Sequence, residues 1–124
     1  MIHDPAAALE AERADALRQV DQLGRDLAEV MAASRDSNAD DEHDPEGATI
    51  GFERAQLTSL LEAARRRVRD VELALEQVRT GGYGTCERCG GAIGAERLAA
   101  RPSARTCISC AAGRGPDPSR AAAT

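Results

Sequence analysis

Apolar side chains recur every seven residues in two long stretches of the chain, and this spacing constrains the fold more than any other feature. The first stretch, between residues 4 and about 35, carries two series: Leu9, Ala16, Leu23 and Val30, and then Arg13, Val20, Leu27 and Ser34, of which Arg13 and Ser34 interrupt the apolar pattern. The second stretch carries Ile50, Leu57, Leu61, Ala64, Val68, Val71, Leu75 and Val78. A heptad repeat places such residues along one stripe of a helix. Two long amphipathic helices are therefore predicted.

The residues that flank these stretches are typical of helix ends. Asp4 precedes Pro5, which is the pattern of an N-cap followed by a first-turn proline, and Asp44 with Pro45 repeats it. Gly81 follows the second repeat and predicts its end. Each predicted helix thus has its own start signal.

Neither helix can bury its stripe alone, and the sequence contains no third amphipathic segment. With no Trp, one Phe and one Tyr, the composition argues against a thick globular core. We therefore predict a mainly α fold in which residues 4–80 form a long antiparallel coiled-coil hairpin. At 1.5 Å per residue, about 30 residues give an arm of roughly 45 Å. The alternatives are two helices of a small bundle, or a hairpin that only dimerises.

The connector between the two stretches is strongly acidic. It holds six acidic residues and no Arg: Asp36, Asp40, Asp41, Glu42, Asp44 and Glu46. The hairpin is therefore expected to carry a negative tip at about residues 36–49, and a merely solvated loop is the alternative. Gly47 and Gly51 weaken the first turn of the second helix, so we expect that helix to become firm near Phe52.

All four cysteines lie in two C-x2-C pairs, Cys86 with Cys89 and Cys107 with Cys110, separated by 17 residues. This is the spacing of a four-cysteine zinc site, in which each tight turn presents two thiolates to one tetrahedral ion. Four thiolates leave no open coordination position, so one structural Zn²⁺ is predicted rather than a catalytic one. The zinc-finger module is expected at the base of the hairpin over residues 81–112, followed by a flexible tail at 113–124. A thiol redox sensor is an alternative.

The charge distribution indicates which class of partner the protein can bind. A net charge of −5 argues against a protein that coats nucleic acid, although a zinc-finger nucleic-acid-binding protein stays open as an alternative. Arg97, Arg101 and Arg105 in the zinc module are candidates for docking on a protein. The sequence shows no catalytic constellation and no apolar run approaching the roughly 18 residues of a membrane span, so a cytoplasmic protein without enzymatic activity is expected.

The segment from residue 83 to residue 110 reads YGTCERCGGAIGAERLAARPSARTCISC. A helical hairpin with an acidic tip followed by this segment resembles the DksA/TraR family of bacterial RNA polymerase-binding regulators. The family pattern YGxCxxCGxxIxxxRLxARPxAxxCxxC is matched by Tyr83, Gly84, Cys86, Cys89, Gly90, Ile93, Arg97, Leu98, Ala100, Arg101, Pro102, Ala104, Cys107 and Cys110.

The resemblance implies a regulator that binds RNA polymerase directly and does not recognise a DNA sequence. Members of the family dock at the rim of the secondary channel and pass the coiled-coil tip toward the catalytic Mg²⁺, which modulates initiation. Their tip carries an Asp-x-x-Asp-x-Ala motif, of which Asp44 matches the first aspartate while Gly47 and Thr49 stand at the other two positions. In a shifted register Asp41 pairs with Asp44. The tip residues implied are Asp40, Asp41, Asp44 and Glu46, and guanosine tetraphosphate is a candidate ligand without assigned residues.

Overall fold

A computed structural model describes residues 4–36 and 45–113, with side chains described for residues 4–35 and 48–113. It contains four helices: α1 (Pro5–Asp36), α2 (Pro45–Thr80), α3 (Ala95–Ala100) and α4 (Ile108–Ala111). The predicted fold class, a mainly helical chain with two long helices and a small four-cysteine module, is confirmed. Within the described ranges, no helix combines the length and apolar character needed to cross a membrane.

The start of α1 follows the capping signal. The N–H of Ala6 donates to Oδ1 of Asp4 at 3.1 Å, and Pro5 is the first helical residue. Helix α2 begins at Pro45, where the Asp44–Pro45 start signal predicts it, and whether the helix becomes firm only near Phe52 stays a prediction. Each glycine costs a helix only about 1 kcal/mol relative to alanine, and the fixed φ of a first-turn proline already suits the helix.

The end of α2 is set by a glycine in the left-handed region. Gly81 has φ +89, a conformation that L side chains rarely adopt. The N–H groups of Gly81 and Gly82 both donate to the carbonyl oxygen of Gln77 at 2.9 Å. This closing pattern satisfies a terminal carbonyl and turns the chain out of the helix toward the cysteines.

Residues 14–68 form one compact unit, in which the α1 and α2 segments run antiparallel. Among its residues with described side chains, three are buried: Ala16, Leu61 and Ala64. At one end of this unit, Nη1 of Arg67 lies 3.1 Å from Oδ2 of Asp15 and donates to Oε1 of Gln19 at 2.9 Å. The seam is therefore a narrow apolar stripe with a polar crosslink at its side.

The second unit joins residues up to 13 with residues from 69 onward. Leu9, Val71 and Ala74 are its buried helical core, and Tyr83 packs against them from the segment after α2. Leu9 and Val71 belong to the predicted seam, whereas Ala74 does not. Ala74 lies three residues after Val71 and so shares its helical face, while the seam residue Leu75 is only half-buried.

Candidate metal centre

The first cysteine pair, Cys86 and Cys89, sits on a tight turn closed by backbone hydrogen bonds. The N–H of Gly90 donates to the carbonyl of Cys86 at 2.9 Å, and the N–H of Cys86 donates to the carbonyl of Gly91 at 2.8 Å. Gly90 has φ +76, which explains a glycine directly after Cys89. The N–H of Gly91 also points at Sγ of Cys89 at 3.4 Å. The turn thus orients both sulfurs to the same side.

The second pair lies at the start of α4. Cys107 is the N-cap residue of this helix, and Cys110 follows three residues later within it. The N–H of Ala111 donates to the carbonyl of Cys107 at 2.9 Å, which closes the turn. Residues three apart on a helix lie on one face, so the two sulfurs converge.

A small apolar cluster supports the two pairs. Ile93 is buried against Cys86 and Cys110, and its N–H donates to the carbonyl of Gly84 at 2.8 Å. Leu98 packs on the same cluster from α3. The metal-bearing turns therefore have an apolar support of only a few side chains, so the metal must provide much of the module's stability.

The four sulfurs fit one tetrahedral ion. The Sγ atoms of the four cysteines all lie within 4.8 Å of one another, and those of Cys89 and Cys107 are 3.9 Å apart. Zn–S bonds of about 2.3 Å in a tetrahedron require sulfurs about 3.8 Å apart. Cys86 and Cys110 are buried, whereas Cys89 is exposed. The prediction of a single structural zinc is confirmed, and a four-thiolate sphere leaves no position for a reacting water.

The local environment affects the cysteine thiols unequally. A hydrogen bond from the backbone N–H of Cys89 is the main cause that lowers the pKa of Cys86 to about 6. The backbone N–H of Cys110 likewise lowers the pKa of Cys107. Burial raises the pKa of Cys110 to about 12. Zinc binds thiolates, so loading the centre must displace the proton of Cys110 in particular.

Two of the three predicted docking arginines are held by internal partners. Nε of Arg97 donates to the carbonyl of Thr106 at 2.8 Å. Arg105 contacts two carboxylates, and these hydrogen bonds raise its pKa. Arg101 is exposed, and within residues 4–36 and 45–113 its side chain has no hydrogen bond or ion pair. Docking by these residues stays a prediction, and Arg101 is the one whose charge faces solvent unpaired.

The 101–106 loop, between α3 and the second cysteine pair, attaches the module to the helices. The hydroxyl of Ser103 donates to Oε1 of Glu12 on α1 at 3.0 Å, and the hydroxyl of Tyr83 donates to the carbonyl of Pro102 at 2.8 Å. Burial is the main cause that raises the pKa of Tyr83. No local pattern in the sequence predicts the contact between Ser103 and Glu12, because the two residues are 91 positions apart.

The structure does not describe the side chains of the predicted tip residues. Asp40, Asp41 and Asp44 lie outside the described residues, and Glu46 is in the first turn of α2 without a described side chain. Their role stays a prediction from the sequence.

Comparison with known proteins identifies the zinc module. Residues 81–114 match the prokaryotic dksA/traR C4-type zinc finger. The RNA polymerase-binding transcription factor DksA of Escherichia coli K12 is 44% identical over 46 residues, which is 37% of this chain and 30% of DksA. DksA of Haemophilus influenzae is 41% identical over 46 residues, 37% of this chain and 32% of that protein. An uncharacterised protein of Aquifex aeolicus is 48% identical over 44 residues, 36% of this chain and 30% of that one.

These matches therefore span about a third of the length of each curated relative. The solved structure of transcription factor DksA2 from Pseudomonas aeruginosa aligns with 87% of this chain and 83% of its own, at 28% identity and a TM-score of 0.49. The two cysteine pairs on the two observed turns therefore belong to a segment, residues 81–114, that is similar to the C4-type zinc finger of the DksA/TraR family.

Proposed function

We propose that this protein is a transcription regulator that binds bacterial RNA polymerase directly, without recognising a DNA sequence. The observation that carries the proposal is the family's four-cysteine centre, packed in one compact unit with the ends of two antiparallel helices. The matched relatives from E. coli and H. influenzae are named RNA polymerase-binding transcription factors. In this proposal residues 4–80 act as the hairpin and residues 81–112 as the zinc module.

The chemistry of the centre supports binding rather than catalysis. The four thiolates are all committed to one ion, and a closed sphere cannot activate water or polarise a substrate. The net charge of −5 disfavours an extended contact with DNA phosphates. A protein surface is therefore the partner that suits this molecule best.

Arg101 is the proposed centre of docking. Its neighbour Pro102 lines an apolar groove of about 400 Å³, together with Leu98 and Tyr83. An unpaired arginine that is adjacent in sequence to a residue of this apolar groove suits a polymerase segment in which a carboxylate stands next to an apolar side chain. Arg97 and Arg105 would support this surface from within, because their guanidinium groups already have partners in the module.

The acidic tip is the proposed effector of regulation. Asp40, Asp41, Asp44 and Glu46 would enter the secondary channel and act on the catalytic metal or on basic polymerase groups. Carboxylate oxygens are ligands that Mg²⁺ accepts, so charge at the tip is the property that matters. Guanosine tetraphosphate as a co-effector belongs to the same proposal and has no residue assigned to it.

The test is a pull-down of purified core RNA polymerase with immobilised zinc-loaded protein. Wild type is expected to retain polymerase, and Arg101→Glu is expected to lose about tenfold or more in affinity, because a like charge replaces the attraction. A matched control is Arg18→Glu, an exposed arginine of α1 outside the zinc module. Equal retention by Arg101→Glu and Arg18→Glu would refute the docking surface, and no retention by wild type would refute the function.

The tip requires its own measurement. A variant with Asp40, Asp41 and Asp44 replaced by Asn and Glu46 by Gln should still bind polymerase but lose its effect on transcription in vitro. Unchanged transcription with intact binding would show that the tip acids are not the effector.

A further inference from the structure

Arg105 joins three separate parts of the zinc-bearing unit. Its Nε and Nη2 atoms lie 2.9 and 2.8 Å from Oε2 of Glu87, and its Nη1 atom lies 3.1 Å from Oδ1 of Asp70. Glu87 stands between Cys86 and Cys89 in the first cysteine pair, and Asp70 is on α2. We call Arg105, Glu87 and Asp70 the Arg105 network. Its three members come from α2, the first cysteine pair and the 101–106 loop.

A backbone contact runs beside the side-chain network. The N–H of Glu87 donates to the carbonyl of Arg105 at 2.9 Å, so the 101–106 loop and the first cysteine pair are joined twice. Asp70 is the α2 member of this arrangement, and its pair with Arg105 is a direct side-chain link from α2 to the loop. A planar guanidinium can hold two carboxylates in fixed directions, which an ammonium group does less well.

We propose that Arg105 is a positioning residue that fixes the orientation of the first cysteine pair on α2. It does not itself touch the partner. Arg105 also belongs to the 101–106 loop, which begins at Arg101, so it holds the loop that carries Arg101. The relevance of this loop to docking rests on the proposed function, whereas the positioning of the cysteine pair does not.

The contribution of the network to folding is expected to be small. The side chains of Arg105, Asp70 and Glu87 keep about two fifths of their surface exposed, at 43%, 39% and 43%. Ion pairs with that exposure stabilise a fold weakly, and the metal supplies most of the folding free energy of such a module. Removing the network should therefore leave a zinc module that is folded and zinc-loaded but loosely attached to α2.

The test compares zinc-loaded Arg105→Gln with Arg69→Gln. Arg69 is an exposed arginine next to Asp70 in sequence, and within the described part of the chain its side chain has no ion pair or hydrogen bond, so its replacement removes the same charge without the network. The first readout is zinc content, and the second is hydrogen exchange of the Glu87 amide. The third is the set of amide residual dipolar couplings from residues 69–80 and 86–110, which show whether the two segments share one orientation.

In wild type and Arg69→Gln, the residual dipolar couplings of both segments should fit a single alignment frame. In Arg105→Gln the zinc content should stay at one per chain, while the segments need separate frames and the Glu87 amide exchanges about five- to thirtyfold faster, as expected for the loss of two weak ion pairs. Arg105→Lys should restore part of the protection. A single shared frame with unchanged exchange in Arg105→Gln would overturn the proposal.

A second variant, Asp70→Asn, tests the proposal if Arg105→Gln loses its zinc. This variant removes only the α2 side of the network and leaves the cysteine pairs untouched, so it should keep zinc and loosen the orientation. Loss of zinc in both variants would assign the network to metal retention and overturn positioning. Polymerase retention is read separately: if wild type does not bind polymerase, the proposed function fails while the couplings still decide the role of Arg105.

Discussion

Replacing Leu9 with alanine removes the α1 side chain from the buried helical core of the unit that carries the cysteines. Leu9 is 0% exposed and packs with Val71 and Ala74. Leu→Ala at a buried site costs about 2–5 kcal/mol, the loss of transfer free energy plus a cavity term. The cluster is small and includes an alanine, so its surroundings can relax, and we expect a loss of about 2–3 kcal/mol.

Leu17→Ala is the matched control, because it changes the same residue type in the same helix. Leu17 is 39% exposed, and its truncation should change the free energy of unfolding by less than about 1 kcal/mol. The assay is urea unfolding of the zinc-loaded proteins, followed by helical circular dichroism. Equal midpoints for the two variants would refute the assignment of Leu9 to the core.

Three further outcomes follow from the same contacts and backbone angles. Zinc affinity, measured by competition with a chelator, should rise with pH through neutrality, because the raised pKa of Cys110 means that a proton must leave before the thiolate binds; a flat profile would contradict this. Tyr83→Phe should lose about 1 kcal/mol of stability in thermal unfolding, as it removes one partly buried hydrogen bond; no change would mean that this bond does not contribute to stability. Gly24→Ala, in open space on α1, should stabilise the fold by about 0.5–1 kcal/mol, whereas Gly81→Ala, at φ +89, should destabilise it by about 1 kcal/mol or more. A change of the same sign in both variants would contradict the backbone conformations at these two glycines.

Local patterns explain which parts of the fold could be predicted from the sequence. The heptad spacing marks the helices because the stripe is a property of consecutive residues, and the Asp4 cap acts within one turn. The two cysteine pairs could be interpreted in the same way, since each pair is closed by a turn of a few residues. These features need no knowledge of the tertiary contacts.

The Arg105 network could not be predicted for the opposite reason. Arg105 and Asp70 are 35 positions apart, and their contact exists only once the zinc turns are folded onto α2. The sequence analysis counted Arg105 among the docking candidates as one of the arginines of the zinc module, and no residue near it in sequence points to Asp70.

The central proposal is that this protein binds RNA polymerase directly, with Arg101 of the zinc module at the centre of the docking surface. Equilibrium binding of the zinc-loaded protein, carrying a fluorophore, to purified core polymerase tests it most directly. We predict saturable binding of one protein per polymerase, weakened about tenfold or more by Arg101→Glu and unaffected by Arg18→Glu. Absence of saturable binding by the wild-type protein would contradict the account.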